Sequence, residues 1–133
     1  SLRQADAADL DAWWDGRPFD AVLADVPCTA AGIVRRHPDI RWLRRAEDVA
    51  RTAKLQAGIA DALWRTVAPG GRLLYATCSI FPAEGEAQAL AFQARHPDAQ
   101  RLSAPGQLLP IAIGATPAAQ RDGFFYALFA KQG

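Results

Sequence analysis

Two cysteines, Cys28 and Cys78, are the only thiols in the chain, and each closes a short apolar run. Phe19 to Ala24 leads into Asp25-Val26-Pro27-Cys28, and Leu73-Leu74-Tyr75-Ala76 leads into Thr77-Cys78-Ser79. Each thiol falls where a buried parallel strand would hand over to a loop. In open α/β sheets the carboxyl ends of strands are where ligands bind. A deprotonated thiol is a strong nucleophile that can carry covalent catalysis. With Asp25 three residues before Cys28, the pattern points to nucleophilic chemistry; buried packing thiols are the bland alternative.

The surrounding elements must bring these blocks together. Asp9 to Asp15 reads as a short helix anchored by Trp13-Trp14, broken by Gly16-Arg17-Pro18. Phe19 to Asp25 is a buried strand. Val26 to Arg45 is a long Arg-rich connection, and a loop of that length inside one domain is expected to serve function. Ala46 to Ala68 is a helix, with Val49, Ala53, Ala60, Leu63 and Val67 recurring at helical spacing. Pro69-Gly70-Gly71 stops it, and Arg72 to Thr77 is the second strand. Pro82 to Arg95 is a further helix, with Pro82 in its first turn and Glu84 and Glu86 at its positive end. Ala99 to Gln120 is weakly patterned, with a short strand expected at Leu108 to Ile113, and Gly123 to Lys131 is a final strand or hairpin arm. Strands alternating with helices imply an α/β domain, a mostly parallel sheet with helices on both faces.

The 133 residues, half of them apolar, suit one globular domain. Formal net charge is only +1, so total charge does not announce nucleic acid. Its distribution says more. Of the 15 basic residues all but Lys54 and Lys131 are Arg, and Arg35, Arg36, Arg41, Arg44 and Arg45 cluster together. No apolar run reaches the ~18 residues of a membrane span, and no signal-peptide pattern opens the chain. Two distant cysteines give neither zinc spacing nor a disulfide framework, so a reduced, cytoplasmic protein without a metal is expected. The opening Ser1 to Ala5 carries no methionine and no start signal, as expected of a piece of a longer protein.

Four segments taken together carry a resemblance. Asp25-Val26-Pro27-Cys28, Arg35-Arg36-His37-Pro38-Asp39-Ile40-Arg41-Trp42, Tyr75-Ala76-Thr77-Cys78-Ser79 and Asp122-Gly123-Phe124-Phe125 resemble the RNA 5-methylcytosine methyltransferases. The nearest match is the ribosomal RNA small-subunit methyltransferase B (Sun/Fmu) family. The resemblance runs from about Asp6 to Ala130. It implies that residues 1–133 are part of a Rossmann-like, S-adenosylmethionine-dependent catalytic domain acting on small-subunit ribosomal RNA. By the same resemblance, Cys78 is the nucleophile, Cys28 assists product release, Asp25 contacts the target base, and Asp6 and Asp25 face the cofactor. The family's Gly-rich cofactor loop would lie upstream of Ser1, so the isolated chain is expected to bind cofactor weakly or not at all and to be inactive. A second departure is local: the family's Pro-Glu-Glu-Asn reads Pro82-Ala83-Glu84-Gly85 here.

The chemistry asks for these residue types. Cytosine C5 is a poor nucleophile until a thiolate adds to C6. Elimination must then break the C6–S bond, and a second thiol beside the ring can assist. A carboxylate can hold the base edge and offset charge developing at N3. The base must leave its stack to react, and Arg35, Arg36, His37, Arg41, Trp42, Arg44 and Arg45 supply phosphate and stacking contacts. A solvated charged face is the plain alternative for that run. Two other functions fit the same residues: a DNA cytosine-C5 enzyme, in which the Pro-Cys thiol attacks, and a non-catalytic RNA-binding piece. The strand Phe19 to Asp25 is also expected to be left unpaired along one edge, inviting self-association.

Overall fold

The computed structural model describes residues 1–111, 116 and 120–133. Four strands form one sheet in the order β1-β2-β4-β3. They are β1 (Phe19–Asp25), β2 (Val67–Thr77), β3 (Ala99–Leu108) and β4 (Phe124–Lys131). The helices are α1 (Leu10–Trp13), α2 (Ile40–Leu43), α3 (Ala46–Thr66) and α4 (Glu86–Arg95), with 3₁₀ turns at Ala31–Ile33 and Pro82–Glu84.

Strands β1 and β2 pair in parallel, which brings Asp25 opposite Ala76. The remaining pairs, β2–β4 and β3–β4, are antiparallel. The expectation of a mostly parallel sheet is therefore corrected. Strands β1, β2 and β3 do run the same way, but β4 inserts head-to-tail between β2 and β3 and leaves only one parallel pair. Phe124–Lys131 pairs on both sides, with Phe125 opposite Thr77 of β2 and Leu128 opposite Leu102 of β3.

The long connection of the sequence is ordered. Ile40 buries against the fold and starts α2, while Trp42 and Leu43 stay exposed. Helix α3 begins as expected and ends at Thr66, where Val67 turns extended to pair with Phe19. The expected helix Pro82 to Arg95 is split at Gly85 into a 3₁₀ turn and α4. A Cβ at Gly85 would stand 3.0 Å from the Phe125 ring, so the break and the ring pack together.

Ala99–Leu108 is a strand that weak patterning concealed. Its register shifts between Leu102 and Gly106, and Gly106 takes φ +66°. Pro and Gly are tolerated at such a bulge on an edge strand. Of the strand expected at Leu108 to Ile113, Leu108 closes β3 and Ile111 makes a lone bridge to Arg121. Residues 112 and 113 lie outside the described residues.

The core lies between α3, α4 and the sheet. Trp64 meets Phe92 edge-on at 5.4 Å between centroids, and Phe92 meets Phe129 at 4.7 Å. Such aromatic pairs add roughly 0.5–1.5 kcal/mol beyond area burial. Trp64 Nε1 donates to Asp98 Oδ1 at 3.0 Å, so its polar edge is satisfied. Lys131 Nζ donates to the carbonyls of Trp64 and Val67, which holds β4 against the end of α3. Among the described residues no helix is long and apolar enough to cross a membrane.

Candidate functional site

The β1–β2 register delivers both cysteine blocks to one end of the sheet. Val26 N donates to Ala76 O at 3.1 Å, extending the ladder one residue past Asp25. Beyond that point the two chains part into loops, and the thiols meet. Cys28 Sγ and Cys78 Sγ stand 3.2 Å apart, both as free, half-buried thiols.

The backbone after Cys28 is bent back on itself. Ala30 sits in the left-handed region at φ +62°, a conformation that costs a non-glycine residue roughly 1 kcal/mol. The bend aims Ala30 N–H at Cys28 Sγ, 3.3 Å away. Burial, and then the hydrogen bond to Cys78, push the Cys28 thiol up to about 12; the Ala30 contact acts the other way. Cys28 therefore keeps its proton at neutral pH and can donate it towards the Cys78 sulfur.

Two glycines lock this arrangement. Gly32 N donates to Cys78 O at 2.9 Å, and Gly123 N donates to Gly32 O at 2.7 Å. A side chain at either position would strike neighbouring backbone or Ile80. The Asp-Gly-Phe-Phe segment thus acts by close backbone approach at Gly123, and by ion pairing at Asp122. Buried Asp122 binds Arg36 Nε at 2.6 Å and Arg35 Nη2 at 3.4 Å.

The basic residues consequently divide. Arg35 and Arg36 hold Asp122, and Arg44 Nε donates to Thr29 O at 2.8 Å, next to Cys28. Those three fix the loop as well as carrying charge. His37, Arg41, Trp42 and Arg45 are exposed on the same connection, with Trp42 at 83% of its full exposure. Arg45 pairs with exposed Glu47, at 3.6 Å.

Asp25 is exposed at the end of β1 and lines a cavity of about 450 Å³ with Ala21 to Pro27 of the same strand and loop. Ala5, Ala7 and Trp13 form the facing wall. Asp6 lies between two of those wall residues, and its Oδ1 accepts Ala8 N at 2.9 Å. Trp13 Nε1 is buried without a hydrogen-bond partner among the described residues. Apolar walls, an exposed carboxylate and an orphaned donor fit a ligand with both a flat apolar part and hydroxyl groups, such as an adenosine. Among the described residues no cluster of His, Cys, Asp and Glu could hold a metal ion.

Sequence reasoning missed a polar network behind the thiols. Gln56 and Glu84 are fully buried. Gln56 Nε2 donates to Pro27 O at 2.9 Å, and Gln56 Oε1 accepts from Tyr75 Oη at 3.0 Å. Burial, then the nearby Glu84 carboxylate, push the Tyr75 phenol upward, so it remains a donor. The available signal was Gln56 lying beside the apolar stripe of its helix.

Comparison with known proteins completes the description. The family described as 16S rRNA methyltransferase RsmB/F matches residues 1–130. The ribosomal RNA small subunit methyltransferase B of Vibrio vulnificus is 49% identical over 132 residues, covering 96% of this chain and 30% of that protein. Its counterpart from Xanthomonas campestris pv. campestris is 51% identical over 135 residues, covering 98% of this chain and 31% of that protein. The solved structure of NSun6 from Pyrococcus horikoshii with SFG superposes with a TM-score of 0.75 at 27% identity. That alignment covers all of this chain, 100%, and 35% of that one. The chain thus spans about 30% of the length of the curated relatives it matches.

Proposed function

The chain belongs to the 16S rRNA methyltransferase RsmB/F family, and from that premise we propose that it carries the thiol centre of an S-adenosylmethionine-dependent rRNA cytosine-C5 methyltransferase. Its mixed α/β sheet with helices is that of a catalytic-domain part of such RNA methyltransferases. The observation that carries the reading is the pair of thiols 3.2 Å apart at the carboxyl ends of two parallel strands, one of them held protonated.

In this reading Cys78 is the nucleophile. Its sulfur lies within hydrogen-bond reach of the Cys28 thiol, 3.2 Å away, and the thiolate is the form that attacks. Cys78 adds to C6 of the cytosine, and the electron pair moves onto C5, which becomes nucleophilic enough to take an electrophilic methyl group. The cofactor, when bound, supplies that electrophilic methyl group. C5 then gives up its proton to solvent, the C6–S bond breaks, and the electron pair returns to Cys78. The Cys28 proton, still on its sulfur, steadies the departing thiolate. Asp25, exposed three residues before Cys28, accepts from the base edge and lines the cavity suited to an adenosine, while Asp6 sits in sequence between its lining residues Ala5 and Ala7. His37, Arg41, Trp42 and Arg45 face solvent where the RNA would approach, and the family relatives' named substrate supports ribosomal RNA as the partner.

The test is adduct formation by the full protein with ribosomal RNA carrying 5-azacytidine, in the presence of cofactor. An adduct mapped to Cys78 is expected. An adduct on Cys28 would reverse the two thiols' roles and fit the DNA-type order. No adduct from folded, cofactor-bound protein would favour a non-catalytic RNA-binding role, with steep salt dependence as its mark.

A further inference from the structure

The two thiols are set by a third group that touches neither. Glu84 is fully buried at the end of the Pro82–Glu84 turn. Its Oε1 accepts from Thr29 N at 2.9 Å and from Gln56 Nε2 at 3.3 Å. Its Oε2 accepts from Thr29 Oγ1 at 2.6 Å and from Ser79 Oγ at 2.5 Å. A carboxylate offers about four acceptor sites, and all four are filled. Thr29 is the residue after Cys28, and Ser79 is the residue after Cys78. The Glu84 carbonyl accepts Tyr75 Oη at 3.0 Å, which ties the same turn to β2. Gln56 completes the enclosure by holding Pro27 O, on the other side of Cys28.

We propose that Glu84 is the positioning residue of the thiol pair: one carboxylate grips the residue following each cysteine and so fixes the separation of the two sulfurs. The proposal rests on the cysteine chemistry inferred above and adds a residue to it. No direct strand pairing joins Thr29 to Ser79. The carboxylate is the bridge between them, and a carboxylate is suited to it because every facing group is a donor. A glutamine keeps one acceptor oxygen for Thr29 N and Gln56. Its amide can donate to the two hydroxyls, which can turn to accept. An alanine loses all four contacts, and an aspartate is one methylene too short to reach both loops.

The first readout is independent of catalysis. Phenylarsine oxide bridges two neighbouring thiols, exchanging two S–H bonds for two As–S bonds and releasing water. Wild-type chain should bind it stoichiometrically, Glu84→Gln should retain capture, and Glu84→Ala should lose it. Because Glu84→Ala leaves buried donors unpaired and can unfold the protein, Ser79→Ala and Thr29→Val test one arm each. Both should keep the wild-type circular dichroism and weaken arsenical capture. In the full protein, Glu84→Gln should rescue most of the activity that Glu84→Ala loses. A misplacement of about 1 Å costs roughly 100-fold, so kcat should fall by about that in the single-arm variants, with KM for RNA unchanged.

Unchanged arsenical capture in both single-arm variants would overturn the positioning role. So would wild-type chain that fails to capture the arsenical, or a loss confined to KM. If capture behaves as expected but no 5-azacytidine adduct forms with wild-type protein, the catalytic reading fails while the clamp on the thiol pair stands.

Discussion

Gly123 N–H donates to Gly32 O at 2.7 Å, and an added Cβ at Gly123 would come within 3.0 Å of the Gly32 Cα. Two backbones cross there with no room for a methyl group, and Gly32 N in turn holds the carbonyl of Cys78. Gly32→Ala would place a carbon 2.8 Å from Cys78 O and closer still to Gly123. Neither neighbour is a flexible side-chain tip, so the backbone must move. Overpacking of this kind costs roughly 1–3 kcal/mol. Gly32→Ala and Gly123→Ala should each lower the unfolding free energy read from urea titration by about that much. Gly58→Ala in α3, where a Cβ meets nothing within 4 Å, should be neutral or stabilising.

Alkaline pH should expose the buried thiol. In the unfolded chain Cys28 ionises near its ordinary value of 9.0, whereas in the fold it keeps its proton up to about 12. The unfolded state therefore binds fewer protons in that window, and stability falls as pH rises through it. Below pH 9.0 the contribution is intact. Tyr75, raised by burial and Glu84, acts in the same direction. Urea midpoints at about pH 8 and about pH 10.5 should differ more for wild type than for Cys28→Ala. Equal differences would mean that Cys28 is not the group responsible. Replacing Cys78 with alanine removes the hydrogen bond that raises Cys28, so thiolate absorbance at Cys28 should appear at lower pH, though still above its ordinary range.

The arginines should separate into two classes. Arg36→Ala breaks the 2.6 Å bond to buried Asp122, and the loss of stability should be about 1 kcal/mol, since the arginine is half exposed. Arg41→Ala and Arg45→Ala should leave the melting temperature unchanged. If RNA lies along this face, each should instead reduce the slope of log K against log salt by about 1. Filter binding across a salt series distinguishes the two outcomes, and an unaltered slope for both variants would remove this face from the RNA path.

Strand β1 pairs only with β2 among the described residues, and Leu23 on it is 67% exposed. An apolar strand with one open edge templates pairing with another chain. The 133-residue chain should sediment as a dimer or larger species at high concentration, and Leu23→Lys should shift it towards monomer. A monomer at every concentration for wild type would show that the edge is otherwise protected.

Both cysteine blocks and their strands were legible because apolar runs ending in Asp-Val-Pro-Cys and Thr-Cys-Ser state strand and loop in one stretch. The parallel sense of β1 and β2 followed from the strand–helix–strand order, whereas the register that sets Asp25 opposite Ala76 did not. The polar clamp was not legible. Glu84 sits where an exposed acid at a helix start is the ordinary expectation, and nothing local distinguishes a buried carboxylate from a solvated one. Its burial depends on Thr29 and Ser79, 55 and 5 residues away. The same limit hid β4: its own sequence says strand, but its reversal between β2 and β3 is a property of partners far along the chain. Ala99–Leu108 was obscured by Pro105 and Gly106, which erase the alternation that marks an ordinary strand.

β4, the last of the four described strands, is an interior strand of the sheet. On a ribosome, β1, β2 and β3 all emerge before the strand that must lie between two of them. The sheet stays divided until Phe124–Lys131 is free to insert, and only then can Gly123 reach Gly32. Non-local pairing of this kind slows folding, because chain closure must precede the contacts that reward it. The glycine crossing beside the thiol pair is thus set last. A nascent chain already holds every residue of β1, β2 and the Glu84 clamp, and only the finished molecule adds Gly123 against Gly32.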